Sequence, residues 1–566
     1  MRGAGLVSIL LATAALGACS GKSSGDDDDG GSAGEANGGS SGKGGSKGGT
    51  SNKAGASTSA GSGGAAAEGG KATGGASGTT SARGGSAGDM EDAGAPATGG
   101  GTGGGGTGGA GAAGGGDAAG KAGAGGMGGN AGNAVVSTPY AAPGNGDTWQ
   151  FTSGDPLNST PPVLAPADNG VVIASSSADP ATAGLTAFDS GIMSEAFVAR
   201  LGHDGKAAWS TPLKAAGFPW SVVPSGDDYV VVAPYLPDAT QVSPYFVSQD
   251  IYLAKVTAAG DVVTEKTLDF THEETMFYGM AIAPNGEIFL TGGAMDMSAG
   301  GSLEETVILA KCDAGGTLLW EKTFPHTGHQ GYGNSAIVLP DGDVIITGAF
   351  DYQLDFGGDT SPIESSALLE GLPSGFLARF TADGAPVWSQ EFGGDDFSSG
   401  TSLALLPGGD DYFLAGAVAL NLKLGALSLP GEAFTPDENQ SFPPTHAFVA
   451  RLRASGEAVW VDRQMDSEFG NVVVTDGTSV FLGGSVETVD DASDGAVYLA
   501  SYTVNGNHGT PYAAVSGDGV SSASLVLSDE ALWVSGRYAG AVDFGAGTAF
   551  TNSDAGVFLV RLPKEP

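Results

Sequence analysis

The sequence predicts an all-β fold for residues 141–566, and three observations lead to this prediction. A phrase recurs seven times, paired turn residues lie between its copies, and apolar residues alternate in short bursts without helical periodicity. Four short strands in each unit of about 40 to 70 residues are the signature of a propeller blade. We therefore expect a seven-bladed β-propeller, although the spacing also allows six or eight blades. The copies of the phrase lie at 196–201, 251–256, 307–312, 375–380, 447–452, 497–502 and 557–562.

Tight turns separate the strands within each unit. After the first copy of the phrase, Asp204 and Gly205 precede Trp209, and a similar turn and tryptophan follow most other copies. A second hairpin turns at Asn285 and Gly286 and has equivalents in other units. Such pairs supply the positive φ that a tight hairpin requires, so each unit should contain two hairpins.

The two ends of the repeat region are complementary. No strand with tryptophan follows the last copy of the phrase, whereas residues 148–152, before the first unit, resemble such a strand. We expect this N-terminal strand to complete the last blade, because the pairing removes exposed sheet edges.

These phrases resemble the bacterial β-propeller repeats of the SBBP type, which are common in secreted proteins. The resemblance covers nearly all of residues 148–562 and includes the additional phrase at 354–357 and 542–545. It implies the fold and little about activity, because propellers host many unrelated functions.

The N-terminus predicts a secreted protein with a lipid anchor. Residues 6–18 are almost wholly apolar and small and end directly at Cys19. The run is shorter than the roughly 20 residues of a membrane-spanning helix, and it identifies 1–18 as a signal peptide. Residues 16–19 resemble the lipobox of bacterial lipoproteins, which implies acylation of Cys19. Ser20 then implies the outer membrane, with the protein facing the cell surface or the periplasm, and the alternative is an ordinary secretory signal.

Residues 19–140 are mainly Gly, Ala, Ser and Thr. They cannot bury enough surface to offset the entropy of ordering the chain, so this glycine-rich segment is predicted to be a disordered tether. A flexible chain of this length has a root-mean-square reach of about 60 Å. The tether would therefore lift the propeller clear of a membrane.

Only one cysteine besides Cys19 is present, which excludes a disulfide framework. Cys312 occupies a position in the repeat where Leu201 and Phe380 are its counterparts. We therefore expect Cys312 to be a small buried hydrophobic residue.

Strand order predicts where polar residues gather. If the strand before each Pro-Asp-Gly turn is innermost, both short hairpins lie on one face, and the long loops and the crossovers between blades lie on the other. Successive blades would place the polar residues of the crossovers around the mouth of the central channel, as candidate ligand residues. These residues are His272, Glu273, Glu274, His326, His329, Asp395, Asp396 and Glu468.

Two interpretations of these residues stay open: a site for a metal or cationic ligand, with or without catalysis, and ordinary capping of strands and turns. His326 and His329 lie in a loop without the helical spacing of a zinc protease. The acidic segments 341–343 and 490–495 match neither the EF-hand nor the nonapeptide calcium pattern. The sequence favours capping and predicts no cofactor. If an ion does bind, calcium is the one that the acidic residues would suit.

The excess of acidic residues narrows the range of possible binding partners. From residue 141 onward the chain has 53 Asp and Glu residues against 15 Lys and Arg residues. Nucleic acid is not expected as a partner, because binding it requires a basic surface that neutralises phosphates. Basic peptides, cationic surfaces or calcium fit better, and the acidity by itself also favours solubility.

The expected function is that of a cell-envelope lipoprotein, held in the membrane through lipid on Cys19. As a monomer it would present the propeller as a non-catalytic binding or scaffolding platform for a protein or polysaccharide. One alternative is an enzyme, either metal-dependent or similar to quinoprotein dehydrogenases, whose blades also carry a Gly-x-x-x-Trp turn like Gly205 to Trp209. Another is an assembly factor for outer-membrane proteins.

Overall fold

The regular structure of the described residues consists of β-strands throughout, which confirms the all-β class. The predicted signal peptide, Cys19 and the tether lie outside the described residues. Within the described part, no helix has the length and hydropathy needed to span a membrane. This computed structural model describes residues 150–153, 161–177, 195–214, 216–236, 250–272, 274–297, 303–368, 371–431, 443–464, 469–487, 494–509, 512–518, 520–528, 531–543 and 550–564.

Seven antiparallel blades of four strands follow one another along the chain. Five of them are separate four-stranded sheets, and the last two are joined in one eight-stranded sheet. Blade 1 contains β2 (Val163–Ala167), β3 (Gly170–Ser177), β4 (Glu195–Gly202) and β5 (Ala207–Pro212). Blade 2 contains β6 (Ser221–Ser225), β7 (Asp228–Pro234), β8 (Asp250–Val256) and β9 (Val262–Asp269). Blade 3 contains β10 (Glu274–Ile282), β11 (Ile288–Met297), β12 (Leu303–Cys312) and β13 (Leu318–Thr323).

Blades 4 and 5 each carry an additional two-stranded hairpin between their second and third strands. Blade 4 contains β14 (Gly331–Val338), β15 (Val344–Phe350), β18 (Ser374–Phe380) and β19 (Pro386–Phe392), with the hairpin β16 (Gln353–Leu354) and β17 (Ile363–Glu364). Blade 5 contains β20 (Ser398–Leu405), β21 (Tyr412–Ala419), β24 (Thr445–Leu452) and β25 (Ala458–Gln464), with the hairpin β22 (Leu422–Leu424) and β23 (Leu427–Leu429).

Blade 7 is completed by the N-terminal strand. Blade 6 contains β26 (Phe469–Thr475), β27 (Ser479–Glu487), β28 (Asp494–Thr503) and β29 (Tyr512–Asp518). Blade 7 contains β30 (Ser521–Leu527), β31 (Ala531–Asp543), β32 (Phe550–Pro563) and β1 (Gln150–Ser153). Strand β1 pairs antiparallel with β32, with Gln150 opposite Val560 and Ser153 opposite Val557. The prediction of seven blades closed by an N-terminal strand is therefore confirmed.

The first strand of each blade is the innermost. Strands β2, β6, β10, β14, β20, β26 and β30 each contact the first strands of both neighbouring blades, so they form a closed ring. Antiparallel order then places the first and third turns of every blade on one face, which we call the short-turn face. The loops between second and third strands, and the crossovers between blades, lie on the opposite, long-loop face.

The hydrophobic core lies between blades. Strand β15 is buried at every position, whereas no residue of the outer strand β13 is fully buried. Cys312 is fully buried in the cluster that contains residues of blades 2 and 3, and this burial raises the pKa of its thiol. The expectation that Cys312 is a buried hydrophobic residue is confirmed.

The tryptophans of the repeat join neighbouring blades. Trp209 donates a hydrogen bond from Nε1 to the carbonyl oxygen of Ala258 in blade 2, at 2.9 Å. Trp388 donates in the same way to Ala454 in blade 5, at 3.1 Å. Each indole lies over the third turn of the next blade, so the Gly-x-x-x-Trp motif has a structural role in this chain.

The basic residue of the recurring phrase also joins each blade to the next. Arg379 contacts Asp343 in the first turn of its own blade and donates to the carbonyl oxygen of Ala454 in the next blade, at 3.2 Å. Arg451 pairs with Asp411 at 2.7 Å in the equivalent position of blade 5. The short-turn face is therefore built from residues that hold the blades together.

Candidate functional site

His272 lies in the crossover into blade 3 and is mostly buried. Its Nδ1 is 2.6 Å from Oδ2 of Asp296, in β11 of the same blade. Glu274, at the start of β10, is half-buried with its backbone opposite Met295. Glu273 lies outside the described residues. His272 thus contributes to the internal structure of blade 3 through a carboxylate that sequence reasoning did not single out.

His329 is part of a loop that folds around a buried carboxylate. Asp351 is 1% exposed, and its two oxygens accept hydrogen bonds from the backbone N–H of His329 at 2.9 and 3.0 Å. The N–H of Gln330 donates to the same carboxylate at 3.1 Å. A Cβ at Gly328 would lie 1.7 Å from Oδ1 of Asp351, so only glycine fits this close approach. The backbone of this loop is capped by Asp351.

His326 lies in the same crossover and pairs through its backbone with Leu354 of the blade 4 hairpin. Burial is the main cause that lowers the pKa of its imidazole, against the opposing effect of Asp351. Its Nδ1 is buried and has no hydrogen-bond partner among the described residues. His326 is therefore a neutral imidazole with one free nitrogen.

The two aspartates of the next crossover serve local structure. Asp396 is 6% exposed, and its Oδ1 accepts a hydrogen bond from the N–H of Phe397 at 2.7 Å. Burial raises the pKa of this carboxyl. The N–H of Asp395 donates to Oδ1 of Asn421 at 3.1 Å. Glu468 lies outside the described residues, so the structure describes six of the eight candidate residues.

A polar cluster that sequence reasoning missed lies at the junction of blades 3 and 4. Glu305 in β12 donates its N–H to the carbonyl oxygen of His329 at 3.1 Å, and the burial of its side chain raises its pKa to about 8. Tyr278 in β10 and Tyr332 in β14 have ring centroids 6.2 Å apart with the rings nearly perpendicular. Burial, together with the charge of Glu305, raises the pKa of both phenols. We call Glu305, Tyr278, Tyr332 and His326 the junction cluster.

The backbone makes room for this cluster. Tyr278 is the additional residue of a β-bulge in β10, where the register shifts between Phe277 and Gly279. Bulges re-aim side chains and occur often beside functional sites. A Cβ at Gly293 would lie 2.2 Å from Oε1 of Glu305, so this glycine leaves space for the carboxyl group.

One sequence signal could have revealed Glu305. It precedes its copy of the recurring phrase by two residues. At that position the other copies have the uncharged residues Ser194, Gln249, Pro373, Thr445, Gly495 and Ala555. A single charged residue at a position that is otherwise uncharged in a repeat is a departure that the fold does not require.

The junction cluster has the chemistry of a site for uncharged polar ligands. At neutral pH a carboxyl group with a pKa of about 8 is mostly protonated, and so are the two phenols. Metal ligation requires deprotonated carboxylates, which burial disfavours here. Among the described residues, no group of three or more His, Cys, Asp or Glu side chains could hold a metal ion.

The inner strands around this site are joined by side chains. Asn334 donates from Nδ2 to the carbonyl oxygen of Gly400 in blade 5 at 2.8 Å. Ser335 Oγ accepts from the N–H of Leu403, also in blade 5, at 3.1 Å. Such contacts between adjacent inner strands position the cluster on a rigid ring.

Comparisons with known proteins identify no family for this chain. No family model matches this chain, and no curated protein does. Among solved structures, the chain is similar to the Dos1 propeller, with 11% identity and a TM-score of 0.35 over 73% of this chain and 94% of that one. It is also similar to Sqt1 of Chaetomium thermophilum bound to the N-terminus of ribosomal protein L10, with 13% identity and a TM-score of 0.36 over 73% of this chain and 98% of that one. At such identities and scores, the likeness carries no argument about activity.

Proposed function

We propose that this chain is a cell-envelope lipoprotein that presents the long-loop face of its propeller as a non-catalytic binding platform for a protein or a polysaccharide. The observation that supports it is the junction cluster, because protonated Glu305, two phenols and a neutral imidazole together offer hydrogen bonds without a net charge. Peptide amides and sugar hydroxyls are the groups that such a site suits. The likeness of the repeats to SBBP-type propellers of secreted bacterial proteins agrees with this proposal.

The anchor is part of the proposal. The apolar run that ends at Cys19 supports acylation and outer-membrane attachment, with the propeller facing the cell surface or the periplasm. Several acyl chains hold a protein on a membrane far more firmly than one does. In a C19S variant, the protein should move from the membrane fraction to the soluble fraction of the envelope. An S20A variant is the matched control, and a C19S protein that stays with membranes would contradict the anchor.

The enzyme alternatives gain no separate support. Trp209 and Gly205, the residues behind the quinoprotein analogy, belong to the contact between blades 1 and 2. The ring of His272 pairs with Asp296, and the backbone N–H of His329 donates to Asp351. A binding role is the simpler proposal, because it requires no residue beyond those of the cluster.

The binding face can be tested with defined probes. We would measure the binding of purified full-length C19S protein to arrays of neutral oligosaccharides and of peptides. For a ligand so found, the double variant E305Q and Y332F should bind about tenfold more weakly, since about 1.4 kcal/mol corresponds to that factor. V387A, on the exposed part of outer strand β19, is the control and should bind as the parent does. No binding on either array, or equal binding by the double variant, would contradict the proposal.

A further inference from the structure

A cavity lies away from the junction cluster, on blade 2. It has a volume of about 240 Å³. Its walls come from the segment that follows β5 in blade 1 and from the ends of β7, β8 and β9 that approach the long-loop face. The lining residues are Lys214, Tyr235, Tyr252, Glu265, Lys266 and Thr267.

Two lysines of this cavity have no acidic partner among the described residues. Several basic side chains elsewhere are paired with carboxylates, as Lys255 is with Asp228 at 3.3 Å and Lys311 with Glu287 at 2.8 Å. Lys214 and Lys266 are exposed, and neither ammonium group forms a hydrogen bond or an ion pair with a described residue. Two uncommitted positive charges therefore line one cavity of a strongly acidic domain.

The opposite wall offers acceptors and an aromatic surface. The hydroxyl group of Tyr252 donates to Oε1 of Glu265 at 2.6 Å, which holds the Glu265 carboxylate in place. Burial, followed by that hydrogen bond, raises the pKa of Tyr252, so it stays a phenol. Tyr235 and Tyr252 both pack against the core shared by blades 1 and 2, which fixes this wall.

We propose that this cavity binds one residue of an acidic polysaccharide, a sugar ring that carries a carboxylate. The ammonium groups of Lys214 and Lys266 would pair with the carboxylate, and Glu265 with Thr267 would accept hydrogen bonds from ring hydroxyls. Tyr235 supplies an apolar surface for the ring. The volume is below the roughly 300 to 1,000 Å³ of sites for drug-sized ligands, so it suits a single ring.

This inference adds a charged class of ligand to the proposed function, and its site is independent of the junction cluster, because the two share no residue. It also differs in chemistry, since the cluster is uncharged and the cavity carries two cations. An acidic glycan bound at blade 2 and a neutral ligand bound at the junction would respond to different substitutions. Experiments can therefore contradict the proposal for one site and leave the proposal for the other unaffected.

The test is a titration of full-length C19S protein with trigalacturonate and, separately, with neutral galactotriose, followed by calorimetry. We expect a Kd of about 1 mM or tighter for trigalacturonate. Binding should weaken as salt rises, because the ion pairs are close to solvent. Galactotriose should bind at least about tenfold more weakly, since it lacks the charge-assisted hydrogen bonds.

Substitutions separate this site from general charge effects. The double variant K214A and K266A should weaken trigalacturonate binding about tenfold or more, whereas K423A, which removes a lysine of blade 5, should leave it unchanged. Both lysines of the cavity are exposed, so the variants should unfold at the parent temperature. The substitution Y252F tests the positioning of Glu265 and should also weaken binding. No trigalacturonate binding, equal binding of the neutral sugar, or equal loss in K423A would overturn the proposal.

Discussion

Two carboxyl groups near the crossover from blade 3 to blade 4 show how strongly the environment decides what a residue does. Asp351 is buried but accepts backbone hydrogen bonds from His329 and Gln330. Glu305 has burial as the only cause that shifts its pKa, which rises to about 8. The first group is a structural cap, and the second retains the capacity to bind or to respond to pH.

Substitution of Glu305 should change how stability depends on pH. Its pKa in the folded protein, about 8, lies above its ordinary value of 4.5, so the folded state binds the proton more tightly than the unfolded state does. The free energy of unfolding should therefore fall as pH rises from about 4.5 to about 8, and level off above that range. In E305Q this contribution disappears, so the variant should be more stable than the parent at pH 8 and closer to it near pH 4.5.

Urea unfolding at several pH values would measure this difference. The matched control is E304Q, which changes the carboxyl group of the adjacent residue. Parallel pH profiles for E305Q and the parent protein would show that Glu305 is not the responsible group.

Removal of the Asp351 carboxylate should destabilise the fold. In D351A the N–H groups of His329 and Gln330 lose their acceptor, and each buried unsatisfied group costs about 1 to 3 kcal/mol. The free energy of unfolding in urea should fall by at least about 1 kcal/mol. D359A, at an exposed position of the same loop, should have little effect, and equal stability of the two variants would argue against the capping role.

At the scale of the strand and turn, the repeated phrase is explained by contacts between blades. Its basic residue reaches the turn of its own blade and a carbonyl oxygen of the next, as Arg379 and Arg451 do. The tryptophan of the outermost strand lies on the third turn of the next blade. Repetition of these residues therefore follows from repetition of one junction and does not indicate a ligand.

Two glycines of blade 2 provide a test of this junction. Gly260 and Gly226 both have positive φ, 93° and 64°. A Cβ at Gly260 would lie 2.7 Å from Cδ2 of Trp209, whereas a Cβ at Gly226 would meet nothing within 4 Å. Both G260A and G226A should carry the backbone cost of about 1 to 2 kcal/mol, and G260A should lose at least about 1 kcal/mol more by overpacking.

Urea unfolding followed by tryptophan fluorescence compares the two variants directly. Equal destabilisation would mean that the indole of Trp209 can move aside without loss, and that the contact between blades 1 and 2 contributes little to stability.

For the whole molecule, ring closure depends on four residues of the N-terminal strand. Strand β1 covers the edge of β32, and without this pairing blade 7 would present an open edge. The strand also ties the start of the propeller to its end. Loss of this strand should therefore destabilise the fold more than the loss of four residues elsewhere would.

Two consecutive prolines in β1 would test the closure. Residues along an antiparallel strand alternate between hydrogen-bonded and non-bonded pairs, so in the Q150P and F151P double variant at least one position loses a ladder hydrogen bond. We expect faster proteolysis within blade 7 and a lower urea midpoint. The control places prolines at Ala118 and Ala119 of the glycine-rich segment. Equal resistance of the two variants to protease would contradict closure by β1.

The strands, the turns and the closing strand could be predicted from the amino-acid sequence, with seven blades preferred to six or eight, because these features depend on local patterns: alternation of period two, positive φ at turn glycines, and a phrase that repeats. The sequence also identified Cys312 as buried. It predicted the long-loop face as the site of the candidate residues, since that follows from strand order alone.

Which polar groups meet could be seen only from the packing of the blades. Glu305, Tyr278 and Tyr332 come from three separate strands in two blades, and burial, which no local pattern encodes, raises the pKa of each. Equally, the structure assigned Asp351 to the backbone of His329, a contact across 22 positions of sequence. The side chains that could bind a ligand are thus defined by how the blades pack, because desolvation and hydrogen bonding depend on neighbours that are distant in the chain.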